Sequence, residues 1–303
     1  MSTLNLYLVA ILIWGSTWLA IKFQLGSVAP AVSIVWRFAL SAVILLAYAK
    51  WKKLDLRFSA RDHFFIALQG VFMFGMSYVC VYVSEEYLAS GLVAVAFSII
   101  VFWNILLMRV FFGRPINPVA VLAALLGVAG IGLVFLPELT SFSGASAGWF
   151  GLALSIVGTL IASLGSMAAT RNHLHHMPIV QVNGFAMLYG AISVAIYAVL
   201  TGDHFSFDWS PAYVASLFYL ALFGSVLAFG AYLTLLKRIG ADRAGYAGVA
   251  VPIVALFLST FAEDLHWQAA MIAGVALCVA GNVLMLRGTG ASGGVAAEES
   301  PRG

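Results

Sequence analysis

The sequence predicts an all-α integral membrane protein of ten transmembrane helices, arranged as two inverted five-helix repeats. Three observations carry that expectation: an apolar composition, ten apolar runs of spanning length, and basic residues confined to alternate loops. Of 303 residues, 63% are hydrophobic and only 9% charged, against roughly 45–50% apolar and about 25% charged in soluble domains. Such a chain has too little polar surface for water; lipid is the solvent that fits. The net charge of +3 is small and scattered, so nucleic acid is not an expected partner. Cys80 and Cys278 both lie in apolar stretches, where a thiol behaves as a small hydrophobe.

A helix rises about 1.5 Å per residue, so a hydrocarbon core of roughly 30 Å takes about 20 apolar residues. That ruler places spans at 4–22, 30–49, 63–84, 88–111, 117–136, 148–170, 178–200, 211–236, 241–262 and 267–287. The first lacks the basic start of a cleaved signal peptide and reads as a retained helix. Span two carries Arg37, the one formal charge expected inside a span. Spans three and four carry Gly75, Tyr78, Tyr82, Phe97, Ser98 and Asn104. Small residues mark the fifth and sixth (Gly127, Gly130, Gly132, Gly148, Gly151), the eighth (Gly224), the ninth (Gly245, Gly248) and the tenth (Gly274, Gly281). In lipid such residues let helix backbones approach closely. Pro252 frees a backbone carbonyl inside span nine and can kink it. Gly113-Arg114-Pro115, Pro137-Glu138 and Asp208-Trp209-Ser210-Pro211 punctuate the gaps. The Gly/Ala/Ser/Glu-rich tail, 288–303, is expected to be disordered and cytoplasmic.

Charge placement tests the helix count. With the N-terminus inside, every Lys and Arg except Lys22 and Arg37 falls in a cytoplasmic segment or at its helix ends, beginning with Lys50, Lys52, Lys53, Arg57 and Arg61. The outside loops hold Glu85, Glu86, Glu138, Asp203, Asp208, Glu263 and Asp264. This is the positive-inside asymmetry, and both termini are expected to be cytoplasmic.

Ten spans divide into a first repeat, 1–137, and a second, 138–287. A shift of 151 residues lays Leu126, Val128, Ala129, Gly130 and Leu133 on Leu277, Val279, Ala280, Gly281 and Leu284. Because five is odd, the second half enters the membrane upside down. Arg109 and Arg114 after span four then answer to Glu263 and Asp264 after span nine. Inverted repeats let many secondary transporters interconvert two states around one site.

The sequence resembles the EamA branch of the drug/metabolite transporter superfamily. The resemblance rests on Trp14-Gly15-Ser16-Thr17, on Pro30 with Trp36-Arg37-Phe38, and on Gly245 to Pro252 ending at Glu263-Asp264. It covers residues 4–287. The family's usual proline in span four and Gly-Glu near its end are replaced here by Val101 and Phe112-Gly113. Within the branch the aromatic interior is most similar to the YddG-like amino-acid exporters. That likeness implies two pseudo-symmetric bundles around a central cavity, in a bacterial-type inner membrane, and export of small metabolites.

A path for small amphipathic molecules needs apolar walls and a few orienting polar groups. Trp14, Thr17 and Trp18 share a face of span one by i, i+3, i+4 spacing, and Tyr78 and Tyr82 share one on span three. With Phe97, Ser98, Ser163, Ser166, Asn183 and Tyr246 they form the expected substrate-binding set. Arg37, Gly245, Gly248 and Pro252 are the expected gating or structural elements. Arg37 is shallow enough to snorkel outward, brace helix-end carbonyls or meet a substrate carboxylate. Trp209, Tyr213 and Tyr219 read as interfacial belt residues.

No acid and no histidine is expected inside the bundle, so proton coupling is not visible in the sequence. No cofactor or metal is expected; His173, His175 and His176 form an exposed loop cluster. Gly144-Ala145-Ser146-Ala147-Gly148 matches a nucleophile-elbow pattern but lies in a loop without acid or histidine partners, so the chain is not expected to be an enzyme. The expectation is an alternating-access exporter of amino acids, aromatic ones included, with amphipathic drugs as the second cargo and a channel or sensor as the competing class.

Overall fold

A computed structural model of the chain describes residues 2–116, 118–141, 146–232, 234, 235, 238 and 246–293, of which 120, 137–141, 146, 246, 248, 249 and 285–293 are described by backbone alone. Among the described residues the regular structure is entirely helical. The helices are α1 (Thr3–Lys22), α2 (Pro30–Trp51), α3 (Ala60–Tyr87), α4 (Ser90–Phe112) and α5 (Pro118–Ser141). The second half holds α6 (Ser146–Leu174), α7 (Ile179–Thr201), α8 (Pro211–Tyr232), α9 (Tyr246–Ala262) and α10 (Ala269–Gly293).

Among the described residues seven helices are long and apolar enough to cross a membrane. The other three, α5, α9 and α10, contain shorter apolar segments, Val121–Leu136, Ala250–Ala262 and Ala269–Leu284. Each of these three borders residues outside the description. Helix α10 continues past its expected end at Arg287 to Gly293, in a stretch where no proline interrupts the backbone ladder.

Local chemistry sets the helix ends. Ser2 caps α1 by accepting from the Asn5 N–H. Ser59 accepts from the Asp62 N–H at 3.1 Å and donates its hydroxyl to the Asp62 carboxylate at 2.7 Å, a reciprocal cap on α3. Ser210 caps α8, whose first residue is Pro211. Helix α4 stops at Gly113, whose φ of +66° is left-handed and strained for any residue with a Cβ.

Helices α3 and α8 each change pitch at mid-span, where Gly70–Met76 and Tyr219–Leu227 are π-helical. Such stretches are rare and leave backbone carbonyls open to other donors. The 151-residue shift carries 70–76 onto 221–227, inside the second stretch.

Helix α5 packs along α10, and α2 along α7. Helix α9 lies on α1 and α4, α3 on α6 and α7, and α8 on α1 and α2. The α5–α10 seam is a backbone contact: a Cβ on Gly130 would come within 2.6 Å of the Gly274 carbonyl, and one on Gly274 within 2.5 Å of the Gly130 carbonyl. A Cβ added to Gly127 or Gly132, in the same run, would meet nothing within 4 Å. The end at which α1, α3 and α9 finish is closely packed. On α4, every residue from Ser90 to Ala96 is buried, whereas no residue of Ile100–Phe112 is.

Candidate substrate-binding site

Four helices place a cation among aromatic rings in the bundle core. Helix α2 supplies Arg37, which is only 2% exposed. Its guanidinium lies over the Tyr78 ring, 4.7 Å from the centroid, and 5.2 Å from that of Phe38. One terminal nitrogen donates to the Tyr82 hydroxyl at 3.4 Å, and that hydroxyl donates to Gln24 Oε1 at 2.8 Å. Desolvated cation–π contacts of this kind are worth about 2 kcal/mol or more. They hold the side chain without consuming its donors. Arg37 Nε has no partner, and neither has Gln24 Nε2.

Rings extend from this cation as a connected wall. Phe38 meets Tyr78 at 4.7 Å and Phe74 at 5.5 Å; Phe74 meets Phe229 at 6.2 Å, and Phe229 meets Trp14 at 5.2 Å. The Trp14 indole N–H donates to the Gly224 carbonyl at 3.2 Å, a carbonyl in the π-helical stretch of α8. Thr17 and Arg37 approach the same glycine, and a Cβ there would come within 2.8 Å of the Thr17 methyl. Trp18 and Phe97 pack together beside this group at 5.4 Å.

Trp14, Thr17, Arg37, Tyr78 and Tyr82 are therefore gathered in one place, with Trp18 and Phe97 as neighbours. The rest of the expected set lies elsewhere. Ser98 borders a small hollow with Gly127, Gly281 and Asn282, against α5 and α10. Ser163 is buried and donates to Asn104 Oδ1 at 2.6 Å, and Ser166 donates to the Ala162 carbonyl. Asn183 accepts from Gln69, which accepts in turn from Asn172, near the Arg171–Asp62 ion pair of 2.9 Å. Tyr246 and Gly248 are described as backbone of α9 only, and Gly245 lies outside the described residues. Pro252 sits inside α9, close to where Gly15 of α1 packs against Val251 and Val254.

Several placements correct the sequence reading. Arg37 neither snorkels nor reaches helix-end carbonyls, because stacked rings hold it in the core. Tyr213 is fully buried and bonded to Ser33, and Tyr219 bonds the Ser16 hydroxyl at 2.6 Å at mid-span, so neither is a belt residue. Most consequential is Glu85. It belongs to the last turn of α3, is 0% exposed, and has no partner at either oxygen. An acid does lie inside the bundle. A hydropathy ruler ends a span at its first charge, but here the helix continues beneath α6, where Ser84 donates to the Gly151 carbonyl and meets the Ser155 hydroxyl. The signal was nonetheless present, since Glu85 extends the Tyr78–Tyr82 face by three residues. Gln24, in the link after α1, gave none.

Above the site a polar latch ties four helix ends. Lys22 pairs with Glu263 at 3.4 Å and donates to the carbonyls of Glu85 and Leu88. Glu263 accepts from the Ser90 N–H and hydroxyl and from the Ser259 hydroxyl. Its carboxylate thus sits at the N-terminus of α4, where exposed N–H groups favour an anion. Burial alone raises the Glu263 pKa, but the donors from Ser259 and Ser90, with Lys22 beside them, bring it below the usual glutamate value.

Among the described residues, Arg37 is the one buried cation, set in an aromatic core of a bundle with seven helices long and apolar enough to cross a membrane. The chain belongs to the EamA-like transporter family, whose sequence profile matches residues 1–136 and 149–287. It is 26% identical over 251 residues to an uncharacterized inner membrane transporter, YedA, of Escherichia coli (strain K12), covering 82% of this chain and 79% of that one. An uncharacterized transporter of Archaeoglobus fulgidus is 23% identical over 282 residues, covering 90% and 95%. The uncharacterized transporter YoaV of Bacillus subtilis (strain 168) is 22% identical over 260 residues, covering 85% and 86%. A crystal structure of another protein superposes with a TM-score of 0.68 at 18% identity, over 93% of this chain and 96% of its own, a likeness of fold.

Proposed function

We propose that this chain is an inner-membrane carrier that exports small metabolites, amino acids first among them, by alternating access between two inverted five-helix repeats. The observation that carries the reading is Arg37: a buried guanidinium with a free N–H, braced on rings and surrounded by apolar walls. A carboxylate finds a charge and a donor there, and an apolar or aromatic side chain finds the rings. One cation suits a single carboxylate better than the multiply charged head of a sugar phosphate.

Three observations support the repeat. The family profile matches the chain twice. The contacts recur five helices on, with α3 on α6 answering α8 on α1, and α3 on α7 answering α8 on α2. The two π-helical stretches correspond under the same shift. The loop charges support termini on the cytoplasmic side, so that the Lys22 end faces outward.

A second cargo class, amphipathic molecules entering from the bilayer, is favoured by a recess of about 520 Å³ between α1, α8 and α9. Leu12, Ile253 and Phe257 line it, and the Ser16–Tyr219 hydroxyl pair lies on its wall. Purified protein in liposomes, challenged with a panel of amino acids and of amphipathic cations, separates the readings. Saturable flux with counter-exchange by amino acids is expected. Non-saturating conductance would overturn the carrier reading.

A further inference from the structure

Three buried groups near the Lys22 end lack partners: Glu85 at both oxygens, Arg37 at Nε and Gln24 at Nε2. The charges that reach Glu85 are Lys22 at the end of α1, Glu263 beyond α9 and Arg37 on α2. On its own helix, Tyr82 and Tyr78 contact the Arg37 guanidinium, and Glu86 is exposed. From α4 and α6, packed against the same turns, the described residues offer hydroxyls only, Ser90 and Ser155.

Lys22 does not neutralise Glu85. Its ammonium pairs with the Glu263 carboxylate and takes only the backbone carbonyl of Glu85. Glu263 is itself held by Ser90 and Ser259. An uncompensated buried carboxylate is strongly unfavourable, whereas a neutral acid at the same place costs far less.

We propose that Glu85 is a proton-binding site, whose carboxyl holds a proton while the Lys22 end is packed shut and gives it to water when that end opens. Opening hydrates the carboxylate and leaves Arg37 Nε and Lys22 free to answer its charge. No bond besides O–H breaks, and the proton leaves as hydronium or on buffer. Shutting this end takes up one proton, so acid favours the shut state and alkali the open one. The linkage to opening rests on the alternating-access reading above; the bound proton does not.

Two measurements on the full chain test it. In liposomes, with Cys80 and Cys278 replaced by alanine, Leu92→Cys places a thiol that is buried at this end, the native leucine being 1% exposed. Its rate of labelling by a membrane-impermeant maleimide is divided by that of Trp209→Cys, a position 82% exposed, to cancel thiol ionisation. The ratio is expected to rise by up to about tenfold per pH unit across the titration, and to stay low and flat once Glu85→Gln is added. An unchanged slope in Glu85→Gln overturns the proposal. Separately, infrared spectroscopy at neutral pH should show a protonated-carboxyl C=O band that Glu85→Gln removes and Glu263→Gln keeps. If Glu85→Gln does not fold, Glu85→Asp should shift that band instead. Absence of the band from the wild type refutes the proton site. A Glu85-dependent band with flat labelling keeps the proton and refutes its linkage to opening.

Discussion

At Arg37, charge alone does not make the site; shape does. The planar guanidinium lies on Tyr78 and reaches Tyr82 with one edge, leaving Nε unpartnered. A lysine carries the same charge as a mobile point and stacks poorly. Arg37→Lys should therefore reduce uptake of carboxylate substrates in liposomes at least tenfold, about 1.4 kcal/mol, and also lower the melting temperature in detergent, because the stacking on Tyr78 and Phe38 is weakened. Equal transport by the two proteins would remove Arg37 from the site. Glu263 allows a second residue-scale test. Its folded pKa lies below the ordinary glutamate value, through its Ser259, Ser90 and Lys22 contacts outweighing burial. Its stabilising contribution is therefore complete above the unfolded value and lost as pH falls through the lower folded one. Asp208, whose pKa is lowered by the Ser210 N–H and by the Ser27 and Ser210 hydroxyls, acts with the same sign. The difference between wild type and Glu263→Gln isolates the former. That difference in melting temperature should be largest near neutrality and vanish on acidification; a constant gap would disprove the charged latch.

At the scale of helices, close approach decides which small residues matter. Gly130 and Gly274 meet backbone to backbone, while a Cβ added to Gly132 on the same helix would meet nothing within 4 Å. Gly130→Val should lower stability by about 1–3 kcal/mol through overpacking, read as a fall in melting temperature in detergent. Gly132→Ala, which adds a methyl to open space and favours the helix, should be neutral or slightly stabilising. The reverse ranking would mean that α5 and α10 do not meet as described. In the sequence the glycines of this run look alike, because a period of small residues does not reveal which of them faces a neighbour. The π-helical stretches were equally hidden, since Gly70–Met76 and Tyr219–Leu227 carry no residue pattern that distinguishes them from ordinary apolar helix.

For the whole molecule, lipid makes the fold legible. Every spanning segment must bury its own backbone hydrogen bonds and show apolar side chains, so the spans stand out as runs and alternate loops sort the charges. Half of the candidate site was legible for the same reason: Trp14, Thr17, Tyr78 and Tyr82 follow helical spacing on single spans. The other half arises between helices. Phe38, Phe74 and Phe229 acquire their places only when α2, α3 and α8 meet, and Gln24 only when the link after α1 folds over Tyr82. Orientation is testable directly. A fluorescent protein fused after Gly303 should fold and fluoresce, and alkaline phosphatase at the same point should be inactive; the opposite pair would invert the topology.

The α5–α10 seam sets what kind of motion is available. Two backbones that meet at Gly130 and Gly274, with the Cys278 and Val134 side chains wedged beside them, have little room to slide. If the halves rock, this seam behaves as the spine of a book: pages part at the far edge while the binding keeps its spacing. A disulfide across it should be tolerated by a working transporter, whereas one joining α4 to α9, one helix from each half, should hold the cover shut.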